Sequence, residues 1–223
     1  MRMTLLDRLN EDTAFIDELM ILSRFAPEIA GTRVLCVNPR QGDLPSAFLR
    51  RRMDLKFDAF VSDDDWRESA RAFSENICFG HSHRPLASIA PGSYDAVLVC
   101  EDMSLVDDED AMFQEYHRLL KPGGILLGGI WNISYHRVLM NLLQETPLPF
   151  ERITDPAHGH YTFPISTLAR RLEGLGYSDL EVLSLYGEQA DVSKFVEISR
   201  GNSIDSADEA LFLTKTFLIK AVK

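Results

Sequence analysis

Tyr94-Asp95-Ala96-Val97-Leu98-Val99-Cys100-Glu101-Asp102 is answered downstream by Lys121-Pro122-Gly123-Gly124-Ile125-Leu126-Leu127. The first stretch is apolar from Ala96 to Cys100 and ends in two acids, the pattern of a strand buried on both faces that opens into a polar loop. Between the two stretches Met112, Tyr116 and Leu119 recur at helical spacing, and Pro122 with its glycines halts that helix in a turn. Ile125–Ile130 is then a further apolar strand. Strand, amphipathic helix and strand in this order make a parallel βαβ unit, so the chain reads as an α/β protein.

Upstream, Thr4 and Asp7 mark a helix start, and Leu5, Leu9, Ile16, Leu19 and Met20 carry its apolar face until Pro27 interrupts. Arg33–Val37 is a buried strand, Leu44–Arg52 a helix with Pro45 in its first turn, and Lys56–Val61 a second strand. Ser62-Asp63-Asp64-Asp65 leads into a helix over Trp66–Phe73, and Ile77–Phe79 is a brief third strand. Downstream, Val138, Leu139, Leu142 and Leu143 give a helix ending before Pro147 and Pro149, and residues 149–163 read as a loop rich in Pro, His and aromatics. Leu168, Leu172 and Leu175 form a helix capped by Gly176. Leu180–Tyr186 and Leu211–Ala221 are strand-like, and Gly187–Ala207 reads as a long irregular loop.

The 223 residues, 45% apolar and 26% charged, suit a single domain. A net charge of -11 argues against nucleic acid as a partner, because phosphate binding wants a basic face. The one dense basic run, Arg50-Arg51-Arg52, reads as a solvated helix end that complements the last carbonyls. Cys36, Cys78 and Cys100 lack metal-type spacing, and Cys36 and Cys100, inside apolar strand-like runs, read as buried reduced thiols, which fits a reducing compartment. No apolar run reaches the roughly 18 residues of a membrane span, and no signal-type segment opens the chain; a cytoplasmic protein without a membrane partner is expected.

The Tyr94–Asp102 strand, the Lys121–Gly124 turn and the Phe163–Tyr177 segment ending in Leu175-Gly176-Tyr177 resemble the class I S-adenosylmethionine-dependent methyltransferases, in particular the small-molecule and sugar-modifying branch. The resemblance implies one Rossmann-like domain with three α/β/α layers. Its doubly wound, mostly parallel sheet would have seven strands and an antiparallel closing strand. Residues 1–27 would be an N-terminal helix, 28–130 the cofactor-side half, and 131–223 the substrate-side half with its lid loops. It further implies S-adenosylmethionine as cofactor.

Ligands of open α/β sheets bind beyond the carboxyl ends of the strands. Cofactor candidates are therefore Asn38, Arg40 and Gly42 after the first strand, Asp63 and Asp64 after the second (Asp65 is a further register), and His81 and Ser82 after the third. Cys100, Glu101 and Met103 follow the fourth. The family's first-strand loop is glycine-rich. Here Gly42 alone matches, Asn38 is a partial substitute because Asn tolerates the left-handed conformation, and Cys36 stands where the family has an acid. The Asp63–Asp65 run equally reads as a helix N-cap. Trp131, Asn132, Tyr135, His136, His158 and Tyr161 are the substrate-side candidates. A general base, if one is used, would be His136, His158 or His160, whose imidazoles titrate near neutrality. His81, His83, His158 and His160 make two His-x-His pairs, but no Cys or Asp completes a zinc spacing, so no metal is expected.

Two functions follow. The first is a methyltransferase acting on an oxygen or nitrogen nucleophile of a small molecule, such as a sugar or metabolite. The second is a methyltransferase-like domain that has lost its cofactor and serves as a binding or assembly module. A nicotinamide-binding domain would want Gly-x-Gly-x-x-Gly after the first strand, which is absent. A homo-oligomer through the N-terminal helix is a further expectation.

Overall fold

Successive residues of a strand face opposite ways, and in β1 (Arg33–Val37) both sets are buried. Leu35 and Val37 join one apolar cluster while Val34 and Cys36 join another. In β4 (Tyr94–Asp102) Val97 and Val99 go with the first set, Ala96 and Leu98 with the second. A sheet buried on both faces needs a helical layer on each side. The first face is covered by Met112, Phe113 and Tyr116 of α3 (Glu109–Leu119) and by Leu168 and Leu172 of α4 (Ile165–Gly174). Leu44 and Phe48 of α1 (Asp43–Arg51) cover the second, with Phe25 and Ala26 of a 3-10 turn at Ser23–Glu28.

The computed structural model describes residues 21–39, 43–62, 65–80, 84–103, 109–132, 134–136, 139–140, 165–187, 190–201 and 209–223. The remaining elements are β2 (Lys56–Val61), α2 (Asp65–Arg71), β3 (Ser74–Phe79), a 3-10 turn at Arg84–Ser88, β5 (Leu120–Trp131), β6 (Ser178–Tyr186), α5 (Ser193–Gly201), α6 (Glu209–Leu213) and β7 (Thr214–Val222). The seven strands lie in the order β3-β2-β1-β4-β5-β7-β6, and β7 runs antiparallel to both β5 and β6. This is the doubly wound sheet with an antiparallel closing strand expected from the sequence.

Several boundaries differ from the sequence reading. Pro27 lies inside the 3-10 turn, which ends at Glu28. β3 begins at Ser74, because its first polar residues pair with β2 and Asn76 reaches Asp58. The Lys121–Gly124 turn is a bulge within β5: Tyr94 pairs with Leu120 and Ala96 with Ile125, so four residues stand opposite Asp95 alone and the register shifts by three. The Gly187–Ala207 stretch contains α5, held by Val192 and Val196 packing on Phe212, with Phe195 stacked at 5.7 Å on the same ring. Leu211–Leu213 belong to α6 rather than to the closing strand. Arg50 and Arg51 are exposed in the last turn of α1, as expected, but the basic run is also bonded to the chain before β1. Arg51 Nε donates to Ser23 Oγ, and Arg52 donates to the carbonyls of Ile29 and Gly31, which fastens the segment before β1 to α1. The expected helix before residue 20 and the loop at 149–163 lie outside the described residues.

The cap at the end of α4 is as expected. Tyr177 N–H donates to Leu172 O (3.1 Å) and Gly176 N–H to Glu173 O (3.0 Å), with Gly176 at φ 95°. This is the paired bonding of a Schellman motif.

The amino ends of the strands are joined by two carboxylates. Asp58 on β2 accepts from Arg33 of β1 (2.6 Å), Asn76 of β3 (2.7 Å) and the Tyr94 hydroxyl of β4 (3.0 Å). Asp95 on β4 accepts from the Arg33 amide (3.0 Å) and from Lys121 of β5 (2.7 Å). Burial favours the neutral form of Asp95, but the Lys121 ammonium and the amide donors outweigh it and hold the carboxyl below its usual range.

Replacing Asp58 by Ala strands three donors, one of them the buried Tyr94 hydroxyl; a loss of about 2–4 kcal/mol is expected in urea unfolding. Because the folded carboxyl of Asp95 titrates low, its contribution is complete above the unfolded value of about 3.9 and disappears as pH falls through the folded one. Unfolding free energy measured down this range should fall less steeply in Asp95→Asn than in the parent, from a lower starting value.

Candidate functional site

The chain runs outward from β1 through β2 to β3, then returns to begin β4 on the other side of β1. Strand order therefore reverses between β1 and β4, and the crevice beyond their carboxyl ends is where such sheets bind ligands.

The first residue past β1 is Asn38, at φ 48°, one of two non-glycine residues with positive φ among the described residues. Its amide donates to Phe60 O at 2.8 Å, which extends the β1–β2 ladder one step. Its side-chain Oδ1 accepts from the Ser62 amide (2.8 Å) and hydroxyl (3.1 Å), and the residue is buried. Ser62 follows β2, on the flank of β1 away from β4. Asn38 thus takes the backbone conformation that a glycine would supply, while its side chain is drawn away from the crevice. Ser62 was not among the sequence candidates; its position directly after β2, beside Asp63, was the signal.

On the β4 side, Glu101 is the penultimate residue of the strand. Cys100 is half-buried, its sulfur 3.1 Å from that of Cys36. Met103 donates its amide to Gly129 O (2.9 Å), and its side chain is fully buried over Gly128, where a Cβ would lie 2.6 Å from Sδ. Arg40, Gly42, Asp63, Asp64, His81, Ser82, His158, His160 and Tyr161 lie outside the described residues; α2 starts at Asp65.

Beyond β5, whose last residue is Trp131, three candidates stand together. Asn132 donates through Nδ2 to the carbonyls of Leu211 (2.6 Å) and Thr214 (2.8 Å), and its Oδ1 accepts from the Ser134 amide. It holds the α6–β7 junction against the end of β5. Tyr135 and His136 are buried edge to face at 4.5 Å, and His136 Nδ1 lies 3.1 Å from Phe212 O. A carbonyl can only accept, so Nδ1 carries a proton, and in the neutral ring the lone pair is therefore on Nε2. That is the tautomer a general base requires. Among the described residues no three His, Cys, Asp or Glu side chains converge as a metal site, and no helix is long and apolar enough to cross a membrane.

Asn38→Gly keeps the turn and loses the Ser62 bonds, a cost of about 1 kcal/mol. Asn38→Val adds the strain of a β-branched residue in the left-handed region, for about 2–3 kcal/mol in all. Denaturant midpoints that rank the two variants in the opposite order would contradict the turn geometry.

A family model described as a methyltransferase domain matches residues 65–128, which span α2 through β4 and α3 into β5. No curated protein matches the chain. Among solved structures the fold is similar to a SAM-dependent methyltransferase from Archaeoglobus fulgidus, 18% identical, covering 94% of each chain at a TM-score of 0.65. It is also similar to a SAM-dependent methyltransferase from Thermotoga maritima described as a possible histamine N-methyltransferase, 14% identical over 96% of this chain and 97% of that one, TM-score 0.57. A third is the phosphoethanolamine N-methyltransferase 2 of Haemonchus contortus in complex with S-adenosyl-L-methionine, 14% identical over 93% of this chain and 52% of that one, TM-score 0.58. Residues 65–128 thus match a methyltransferase domain, and the fold as a whole is similar to that of SAM-dependent methyltransferases.

Proposed function

We propose that the protein transfers a methyl group from S-adenosylmethionine to an oxygen or nitrogen nucleophile of a small molecule. The observation that carries this reading is the Asn38 turn: at the order reversal, where a ligand must approach main chain closely, the backbone is in the left-handed conformation with its side chain tied back to Ser62. The residues there fit the cofactor's amino-acid end in that respect. When bound, S-adenosylmethionine supplies a methyl group made electrophilic by its sulfonium sulfur.

The chain's own residues do the rest. The backbone following Asn38, with Arg40 and Gly42, receives the amino-acid end. Asp63 or Asp64 accepts hydrogen bonds from ribose hydroxyls, and His81 and Ser82 meet the adenine. Glu101 and Cys100 close the β4 side. On the acceptor side, His136 presents an unprotonated Nε2 to take the proton that the nucleophile loses, with Asn132 fixing the backbone it leans on. Trp131, Tyr135, His158 and Tyr161 complete the wall, and His160 is a second base.

A small amine or alcohol is favoured over a polyanion, because a net charge of -11 repels polyanionic acceptors and attracts cationic ones. Two solved relatives carry names for small-amine methylation.

Isothermal calorimetry with S-adenosylmethionine and S-adenosylhomocysteine tests the reading. Micromolar affinity, about -8 kcal/mol, is expected, with a loss of roughly tenfold in Asp63→Ala. A folded protein that gives no heat at millimolar ligand would instead be a binding or assembly module built on a methyltransferase fold.

A further inference from the structure

Cys36 and Cys100 stand on β1 and β4, the two strands that flank the order reversal, with their sulfur atoms 3.1 Å apart. Strand register brings them together. Cys36 pairs with Leu98, and Cys100, two residues further along β4, projects to the same face as Leu98. A disulfide has its sulfurs about 2 Å apart. Closing this gap of roughly one ångström falls partly on the backbone, because Cys100 lies two residues beyond Leu98, the partner of Cys36, where the β4 register becomes irregular. Cys36 is wholly buried and Cys100 half-buried, so a solute reaches the pair through Cys100. The third cysteine, Cys78, is on β3, with β2 between it and β1.

We propose that Cys36 and Cys100 are a dithiol that a hydroperoxide converts to an intramolecular disulfide across the β1 and β4 strand ends. The thiolate of Cys100 attacks a peroxide oxygen, the O–O bond breaks, and hydroxide leaves to take up a proton, giving a sulfenic acid. Cys36 sulfur then attacks the Cys100 sulfur, the S–O bond breaks, and a second water leaves with the Cys36 proton. Two thiols lose two electrons and two protons, and one hydrogen peroxide is reduced to two waters. In a reducing compartment such a bond is transient and reversible. It ties the end of β1, two residues before the Asn38 turn, to the end of β4.

The full chain is exposed to hydrogen peroxide, denatured in the presence of an alkylating agent, and examined by intact mass and peptide mapping. The expected product has lost two hydrogens, carries one alkyl group, on Cys78, and yields a cross-linked Cys36–Cys100 peptide that dithiothreitol releases. Without peroxide all three cysteines are alkylated. Cys78→Ser should leave the cross-link intact, whereas Cys36→Ala should abolish it and leave Cys100 as a sulfenic acid that dimedone traps. Three alkylated cysteines after peroxide would overturn the proposal, as would a cross-link through Cys78 or sulfinic acid on Cys100 beside an unreacted Cys36. The parent chain alone decides the matter if a variant fails to fold. No readout requires S-adenosylmethionine, so the result stands apart from the function proposed above.

Discussion

The parallel part of the sheet depends on two carboxylates placed between strands. Asp58 gathers donors from β1, β3 and β4, and Asp95 gathers donors from β1 and β5, so five adjacent strands share one hydrogen-bonded belt at their amino ends. Each carboxylate is largely buried, and a buried carboxylate is tolerated only when donors surround it. That requirement is also a specification: slipping any of these strands by one residue would turn its donor to the other face and leave a charge unpaired. The Arg33 guanidinium also sits 5.4 Å from the Tyr94 ring centroid, so the belt has an aromatic floor.

With register set at the amino ends, the carboxyl ends are left to chemically varied residues. The two ends of β1 show the contrast. Arg33 is fixed by the belt, whereas Asn38 abandons the extended conformation and lets the chain turn over the crevice. Past β5 the same division holds, because Asn132 Nδ2 secures the α6–β7 junction, its Oδ1 holds the Ser134 amide, and His136 takes its tautomer from the junction's Phe212 carbonyl. The base candidate is therefore oriented by main chain.

What the sequence made legible follows from burial. β1, β4 and β5 are apolar on both faces, and their unbroken runs announce buried strands with acids or amides at one end. Asn38 was readable for a related reason, since few residues other than glycine accept a positive φ. β3 was foreshortened because Ser74, Glu75 and Asn76 serve an edge and the belt rather than the core. α5 was hidden because its apolar contacts are made with Phe212, far along the chain, so the segment by itself looks polar. In Leu211–Leu213 a short apolar run carried no period to separate helix from strand. The proximity of Cys36 and Cys100 depends on the register between β1 and β4, which no local pattern encodes. Of the candidate site, the described part was visible as residue types at strand ends; their partners, Ser62 and Phe212, were not.

The placing of β7 bears on how the chain assembles. β6 comes earlier in sequence, yet its pairing in the sheet is with β7, which separates it from β5. The first five strands can line up as they emerge, but β6 must wait, without a place on the growing edge, until residues 214–222 are made and fill the gap. The side of the crevice built on α6 and the β5–β7 seam is consequently completed after the side formed by β1 to β4. A chain halted during synthesis before β7 would hold a crevice with one side missing, and β6 would remain exposed to whatever else offers a strand edge.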